Sequence, residues 1–265
     1  MADATTMRIF AVANQKGGVG KTTTTTSLGA ALAERDKRVL IVDLDPQGNA
    51  TTGLGVDGRQ FERSVYDVLL NDVPMVDIVE PTGYNNLFVA PATLDLAGVE
   101  QELTSVISRE LRLKRALTSV EGDFDYIFID CPPSLGLITI NAFAAATEIM
   151  VPVQTEFYAL EGLSYLVQTV DRVKRAFNPR LELAGIILTM YDRRNALSEA
   201  VAQDVRAHFG KRVFDTIVPR NVRVSEAPSH GLPVLVYDHR CIGAQAYIQL
   251  AAEFLKRFAG EPVSV

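Results

Sequence analysis

The segment Asn14-Gln15-Lys16-Gly17-Gly18-Val19-Gly20-Lys21-Thr22-Thr23 constrains this chain more than any other. An apolar run, Phe10–Ala13, leads into it, and helical periodicity over Thr22–Glu34 follows. A strand that stops at a glycine-rich loop and resumes as a helix is the setting of a phosphate-binding loop. Gly17, Gly18 and Gly20 let the backbone take left-handed or extended conformations, so that successive N–H groups can converge on phosphate oxygens. The helix N-terminus adds its partial positive charge. Lys21 is placed to reach the β- and γ-phosphates and the Thr22 hydroxyl to bind Mg²⁺, with Val19 and Thr23 completing the loop. A glycine turn that only joined a strand to a helix would not need two lysines and a threonine pair in this order.

The rest of the chain fits that opening. Short apolar runs at Ile9–Ala13, Val39–Val42, Leu87–Val89, Tyr126–Ile129, Ile149–Val153, Ala184–Leu188 and Val213–Ile217 read as strands. Helical patterns fall at Thr22–Glu34, Leu96–Ser119, Leu160–Phe177, Ser198–Phe209 and Ala244–Phe258. Continuous apolar strands that alternate with helices predict a single doubly wound α/β domain, with a mostly parallel sheet covered on both faces. The expected domain spans residues 8–259, with short tails at 1–7 and 260–265. A chain of 265 residues buries a sufficient core without disulfides or structural metals.

Composition narrows the function classes. The two cysteines, Cys131 and Cys241, form no CxxC pair, and the three histidines, His208, His230 and His239, make no zinc pattern. Two lone cysteines fit a reducing compartment. No apolar signal region opens the chain and no stretch approaches a spanning helix, so a cytoplasmic location with no membrane partner is expected. Net charge is −6 but uneven: residues 190–257 hold ten Lys/Arg against seven Asp/Glu, while residues 1–189 hold sixteen against twenty-four. Any anionic partner is therefore expected on the C-terminal third.

Two further motifs carry carboxylates. Val39-Leu40-Ile41-Val42-Asp43-Leu44-Asp45 reads as a buried strand ending in two acids, and alternation along a strand turns Asp43 and Asp45 to the same side. Ligands in such sheets bind beyond the carboxyl ends of the strands; a role for both acids in capping the next turn is the competing reading. Asp125–Asp130, followed by Cys131-Pro132-Pro133, has the Walker B form: a carboxylate at a strand end, able to hold Mg²⁺ through water. The Cys131–Pro133 segment is expected to act as a switch loop.

The second lysine, Lys16, makes the loop KGGVGKT[TS], and here the chain resembles the deviant Walker A family of ParA, MinD, ArsA and the nitrogenase iron protein. The resemblance implies an ATPase that hydrolyses ATP to ADP and phosphate with Mg²⁺. It also implies that Lys16 reaches across a dimer interface onto the partner's nucleotide, much as an arginine finger does. It makes Asp45 the residue that orients the attacking water and sets Asp43 near the Mg²⁺ shell.

Within that family, Asp43–Asn49, Asp130–Ser134, Ala159–Leu163 and Val218–Pro228 look like the ParA/Soj partition proteins, over nearly the whole chain from Arg8 to Phe258. The resemblance implies that Pro219 and Asn221 contact adenine, an apolar edge and an amide being suitable chemistry for a base. It implies an ATP-bound homodimer that binds double-stranded DNA nonspecifically through Arg194, Arg223 and, more weakly, Arg240. It further implies nucleoid association and stimulation by a ParB-like protein, the outcome being chromosome or plasmid segregation. Ile242 departs from the pattern, since it stands where the family commonly has a lysine. Related readings are a ParA-like ATPase that positions another cargo, a MinD-like membrane-cycling ATPase, and a redox relative of the iron protein. The membrane reading needs a terminal amphipathic helix, but the stripe over Ala251–Phe258 is better read as packing on the domain. The redox reading needs cysteines paired at a dimer seam.

Overall fold

The computed structural model describes residues 7–258. The expected tail 260–265, and all of 1–7 but Met7, lie outside the described residues. Seven strands form one sheet in the order β3-β4-β2-β5-β1-β6-β7. They are β1 (Arg8–Val12), β2 (Val39–Asp43), β3 (Glu80–Pro81), β4 (Leu87–Ala90), β5 (Tyr126–Asp130), β6 (Glu148–Gln154) and β7 (Glu182–Thr189). All pairings are parallel except the short β3 with β4. The α-helices are α1 (Lys21–Ala33), α2 (Asn49–Gly53), α3 (Val65–Leu70), α4 (Val99–Glu102), α5 (Arg112–Leu117), α6 (Leu137–Ala145), α7 (Ala159–Ala176), α8 (Ala196–Phe209), α9 (Val222–Glu226), α10 (Val234–Tyr237) and α11 (Ile242–Phe258).

Alternation along the strands divides the interior into two cores. Phe10 and Val12 of β1 with Tyr126 and Phe128 of β5 face α1 and α11, where they meet Leu28, Leu32, Leu250 and Phe254. Ile9, Ala11, Ile127 and Ile129 face the other way, toward α5, α6, α7 and α8, through Leu113, Phe143, Leu166 and Val205. The register decides where function can sit. Val12 pairs with Asp130, and Asp130 pairs with Asp43, so the ends of three central strands form one row. The loops that follow β1, β5 and β2 emerge side by side. By the same alternation, Asp43 and Asp130 lie on the α1 side of the sheet.

Two expectations are corrected and one helix, α6, is added. Val213–Ile217 makes only an isolated bridge, Val213 to Ile186. The carboxylate of Glu253 on α11 accepts the Asp215 and Thr216 N–H groups, which removes the donors a strand would need. The pattern over Leu96–Ser119 is not one helix but a series of short turns around α4 and α5, interrupted where Ser108 takes φ 54°. Arg112 pins α5 by donating to the Leu69 and Leu70 carbonyls and to Asp72. The helix α6 gave no periodic signal because Ile138, Thr139 and Asn141–Ala145 are all buried, so it lacks a polar face.

Phe254 is fully buried and packs against the rings of Phe10, Tyr126, Phe128 and Phe258. It locks α11 onto the strands that carry the phosphate loop. Phe254→Ala is expected to destabilise the fold by about 3–5 kcal/mol, read from urea unfolding. A loss below about 1 kcal/mol would mean that α11 is held elsewhere.

Candidate functional site

The loop between β1 and α1 has the geometry of an anion cradle. Gly18 and Gly20 take φ 72° and 87°, conformations that a side chain would strain. Gly20 is the residue before α1 and supplies no side-chain cap, so the first N–H groups of the helix are left for an external acceptor. Val19 is anchored below the loop, where its carbonyl accepts the Thr189 hydroxyl at 2.8 Å. Gln15 to Gly18 form the exposed outer rim, with Thr22 and Thr23 half-buried behind it.

The two lysines of this loop part company. Lys21 is 7% exposed and donates to the Lys16 carbonyl at 3.1 Å. Burial lowers its pKa, while the nearby charges of Asp130 and Asp45 oppose that shift. The side chain of Lys16 is 51% exposed and turns outward to an ion pair with Glu156, just beyond β6.

Asp130 and Asp43 are both fully buried. Asp130 accepts the Thr22 hydroxyl at 2.7 Å and the Thr25 hydroxyl at 3.1 Å. Asp43 accepts the Thr51 N–H and hydroxyl on one oxygen and the Asp45 N–H on the other. Burial pushes both carboxyls well above the usual range. The charge of Asp43 pushes Asp130 up further, since the two sit opposite each other on paired strands. Two buried acids beside a hydroxyl form a hard, oxygen-only donor set that a divalent cation would relieve. Among the described residues no three His, Cys, Asp or Glu side chains converge as a cage. Mg²⁺ keeps waters and shares its shell with phosphates, so it needs no dedicated protein cage.

β2 ends at Asp43, so strand alternation does not aim Asp45. Asp45 lies in the following turn, half-buried, where it accepts the Gln47 N–H at 3.0 Å. Both acids accept N–H groups of that turn, Asp43 from Asp45 and Asp45 from Gln47, as the competing reading had it, and Asp43 also accepts the Thr51 N–H inside α2.

Pro219 and Asn221 join the site from far along the chain. With Gly20, Thr23, Thr189 and Met190 they line a cleft of about 240 Å³. Tyr191 donates its N–H to the Val218 carbonyl, which ties this segment to the end of β7. Met190, at that end, has φ 52°, an uncommon conformation for a residue with a side chain. Asn221 caps α9 by accepting the Arg223 N–H at 3.1 Å.

The three arginines expected on DNA are each exposed. Arg194 lines an open cleft of about 760 Å³ with Arg193, Arg220, Val222 and Ile242. Arg223 forms ion pairs with Glu226 and Asp238, and the Arg240 N–H reaches the same Asp238. Arg194 is paired with Asp192, whose carboxyl is held down to about 2, first by the Arg194 side chain. Sequence reasoning missed Thr25, Thr51, Glu156, Arg193 and Arg220. Thr25 was findable, since it sits three residues beyond Thr22 on the same helix face. Cys131 is buried, and burial pushes its thiol up. The stripe on α11 faces the core through Ala251 and Phe254. No helix of the described residues is long and apolar enough to cross a membrane.

The fold and loop define a P-loop nucleotide-binding protein of the deviant Walker type. The AAA domain family matches residues 7–183. The chromosome partitioning protein ParA of Caulobacter vibrioides is 55% identical over 256 residues, 96% of either chain. The sporulation initiation inhibitor protein Soj of Bacillus subtilis is 54% identical over 93% of this chain and 97% of its own. A solved structure of Mycobacterium smegmatis cobyrinic acid a,c-diamide synthase with bound ADP and magnesium is 40% identical, covers 96% of both chains and superposes with a TM-score of 0.84. The chain belongs to the ParA/Soj family of chromosome-partitioning ATPases.

Thr51 offers a test of what Asp43 does. Its hydroxyl donates to Asp43 at 2.8 Å and accepts the Ala92 N–H at 3.1 Å. Thr51→Val is expected to cost about 1–3 kcal/mol in urea unfolding, because a buried N–H and a buried carboxylate each lose a partner. Unchanged stability would show that Asp43 does not depend on this anchor.

Proposed function

We propose that this protein is a Mg²⁺-dependent ATPase that dimerises on binding ATP, holds double-stranded DNA without sequence preference, and drives chromosome or plasmid segregation under stimulation by a ParB-like protein. It is accordingly assigned to the nucleoid. The observation that carries the reading is the divergence of the two loop lysines. Lys21 is turned inward and serves the nucleotide of its own loop. Lys16 is turned outward, to an ion pair with Glu156, and in this reading leaves that acid to serve a second one.

In this reading the N–H groups from Gly17 to Thr23 hold the phosphates, Lys21 neutralises the β- and γ-oxygens, and Pro219 and Asn221 hold the base. Thr22, Asp130 and Asp43 would hold Mg²⁺, the two acids through water. Bound there, Mg²⁺ would neutralise charge on the phosphoryl group being transferred. Asp45 orients the attacking water, and Lys16 of one protomer stabilises the phosphates held by the other. ADP and an ATP analogue, each with magnesium, occupy the Mycobacterium smegmatis relative, which supports the ligand choice.

Two outcomes test this. Lys16→Ala is expected to retain ATP affinity and lose ATP-dependent dimerisation in sedimentation velocity. Asp45→Ala is expected to bind ATP, accumulate as dimer and release phosphate about 10²–10⁴-fold more slowly. A Lys16→Ala chain that dimerises normally, or an Asp45→Ala chain that turns over normally, removes the corresponding role.

The DNA surface is tested separately. Each phosphate neutralised releases counterions, so affinity should fall with salt at a log–log slope of about −0.9 per contact. Arg223→Glu is expected to abolish retention of random-sequence duplex while leaving the dimer intact. Binding equally strong with ADP, or surviving in Arg223→Glu, would refute the assignment.

A further inference from the structure

The segment Thr155–Tyr158, after β6, carries three features that the nucleotide site leaves unused. Glu156 forms the ion pair with Lys16. Thr155 is 4% exposed, and its hydroxyl is the one buried side-chain polar atom among the described residues with no hydrogen-bond partner. Phe157 and Tyr158 are 74% and 67% exposed, their rings meeting edge to face at 5.2 Å. An unpaired buried hydroxyl is costly, and two adjacent aromatic rings in water leave a large apolar surface unburied. Both faults lie next to the acid that detains the outward-facing lysine.

We propose that this segment is a docking surface for a second copy of this chain, and that Glu156 holds Lys16 on its own protomer until that copy arrives. The inference rests on the proposed action of Lys16 across a dimer. The occupant follows from the ion pair. Whatever covers the segment must also offer Lys16 a better anion than Glu156, or Lys16 stays where it is. A nucleotide triphosphate is such an anion, and the one on the same loop is already served by the buried Lys21. The surface that brings a further triphosphate, fixed on a rigid loop, is another copy of this chain. Aromatic rings suit the contact, because they bury much area for little lost side-chain freedom. A half-exposed ion pair is weak, so Glu156 biases the equilibrium without blocking it.

The test uses the full chain with Mg²⁺ and a non-hydrolysable ATP analogue, and reads the protein concentration at half dimerisation by sedimentation velocity. Glu156→Gln is expected to lower that concentration about two- to fivefold, the worth of an exposed pair. Glu161→Gln makes the same charge change nearby on α7 and is expected to leave it unaltered. Phe157→Ser and Tyr158→Ser are expected to raise it about tenfold or more, as loss of an interface anchor does. Their thermal midpoints should match the parent, since both rings are exposed. An unchanged or weaker dimer in Glu156→Gln, an equal shift in Glu161→Gln, or unaffected dimerisation in the aromatic variants overturns the proposal. Lys16→Ala in the same assay separates the two levels. If it loses the dimer while the other variants behave as the parent, the proposed function stands and this surface does not. If it dimerises normally, the action of Lys16 across the interface fails first.

Discussion

Two carboxylates, Asp43 and Asp130, lie opposite each other on adjacent parallel strands, and both are fully buried. Hydrophobic burial cannot explain that placement, because a buried like-charge pair opposes folding unless something compensates it. Part of the compensation is local. Thr22 and Thr25 donate to Asp130, and Thr51 and the Asp45 backbone donate to Asp43. Another part is the buried Lys21, whose own charge is disfavoured by the same burial. The site therefore holds one buried cation and two buried acids close together. Each charged form is raised in energy until phosphate and a divalent cation balance it. Ligand binding there is coupled to the positions of three loops, since the two lysines, Asp130 and Asp43 lie at the ends of β1, β5 and β2 respectively.

The same constraint explains why the strand order matters more than the helices. Had β1, β5 and β2 not been neighbours, no register could have placed Val12, Asp130 and Asp43 in one row. Phe10 and Phe128 stack at 5.5 Å beneath that row, and Phe254 closes over both, so the strand ends rest on a packed aromatic layer. Of these three rings only Phe254 is remote from the site in sequence, and none is a proposed ligand.

Much of this was legible in the chain. The phosphate loop announced itself by glycine spacing and by the change from strand to helix pattern, and six of the seven apolar runs are strands. What was illegible had definite causes. Val213–Ile217 has the composition of a strand, but two of its donors, the Asp215 and Thr216 N–H groups, go to Glu253, a residue nearly forty positions away. Helix α6 is buried all round and so carries no period. Asp45 was assigned a direction from strand alternation, yet the strand ends two residues earlier and a turn sets its orientation. Thr51 and Glu156 looked like ordinary polar residues; only the fold brings one to Asp43 and the other to Lys16. Ionisable side chains read easily from sequence, while the groups that hold them do not.

The charge pattern of the C-terminal third takes on a different meaning once partners are visible. In the sequence, residues 190–257 carry a modest excess of cations. In the structure, Arg194 is matched to Asp192, and Arg223 to Glu226 and Asp238. Each arginine proposed to meet DNA with a resolved ion pair is thus already paired, and a phosphate must compete with or share that carboxylate. Exposed pairs of this kind contribute little to stability, so they are cheaply rearranged. They nevertheless lower the potential that one protomer presents at a distance. Phosphate contacts add their counterion release in the exponent of affinity, so doubling a weak set of contacts strengthens binding far more than twofold. If the proposed function holds, a surface on which Arg194 and Arg223 are each matched to a carboxylate is for that reason better suited to depend on dimerisation than one on which both are free.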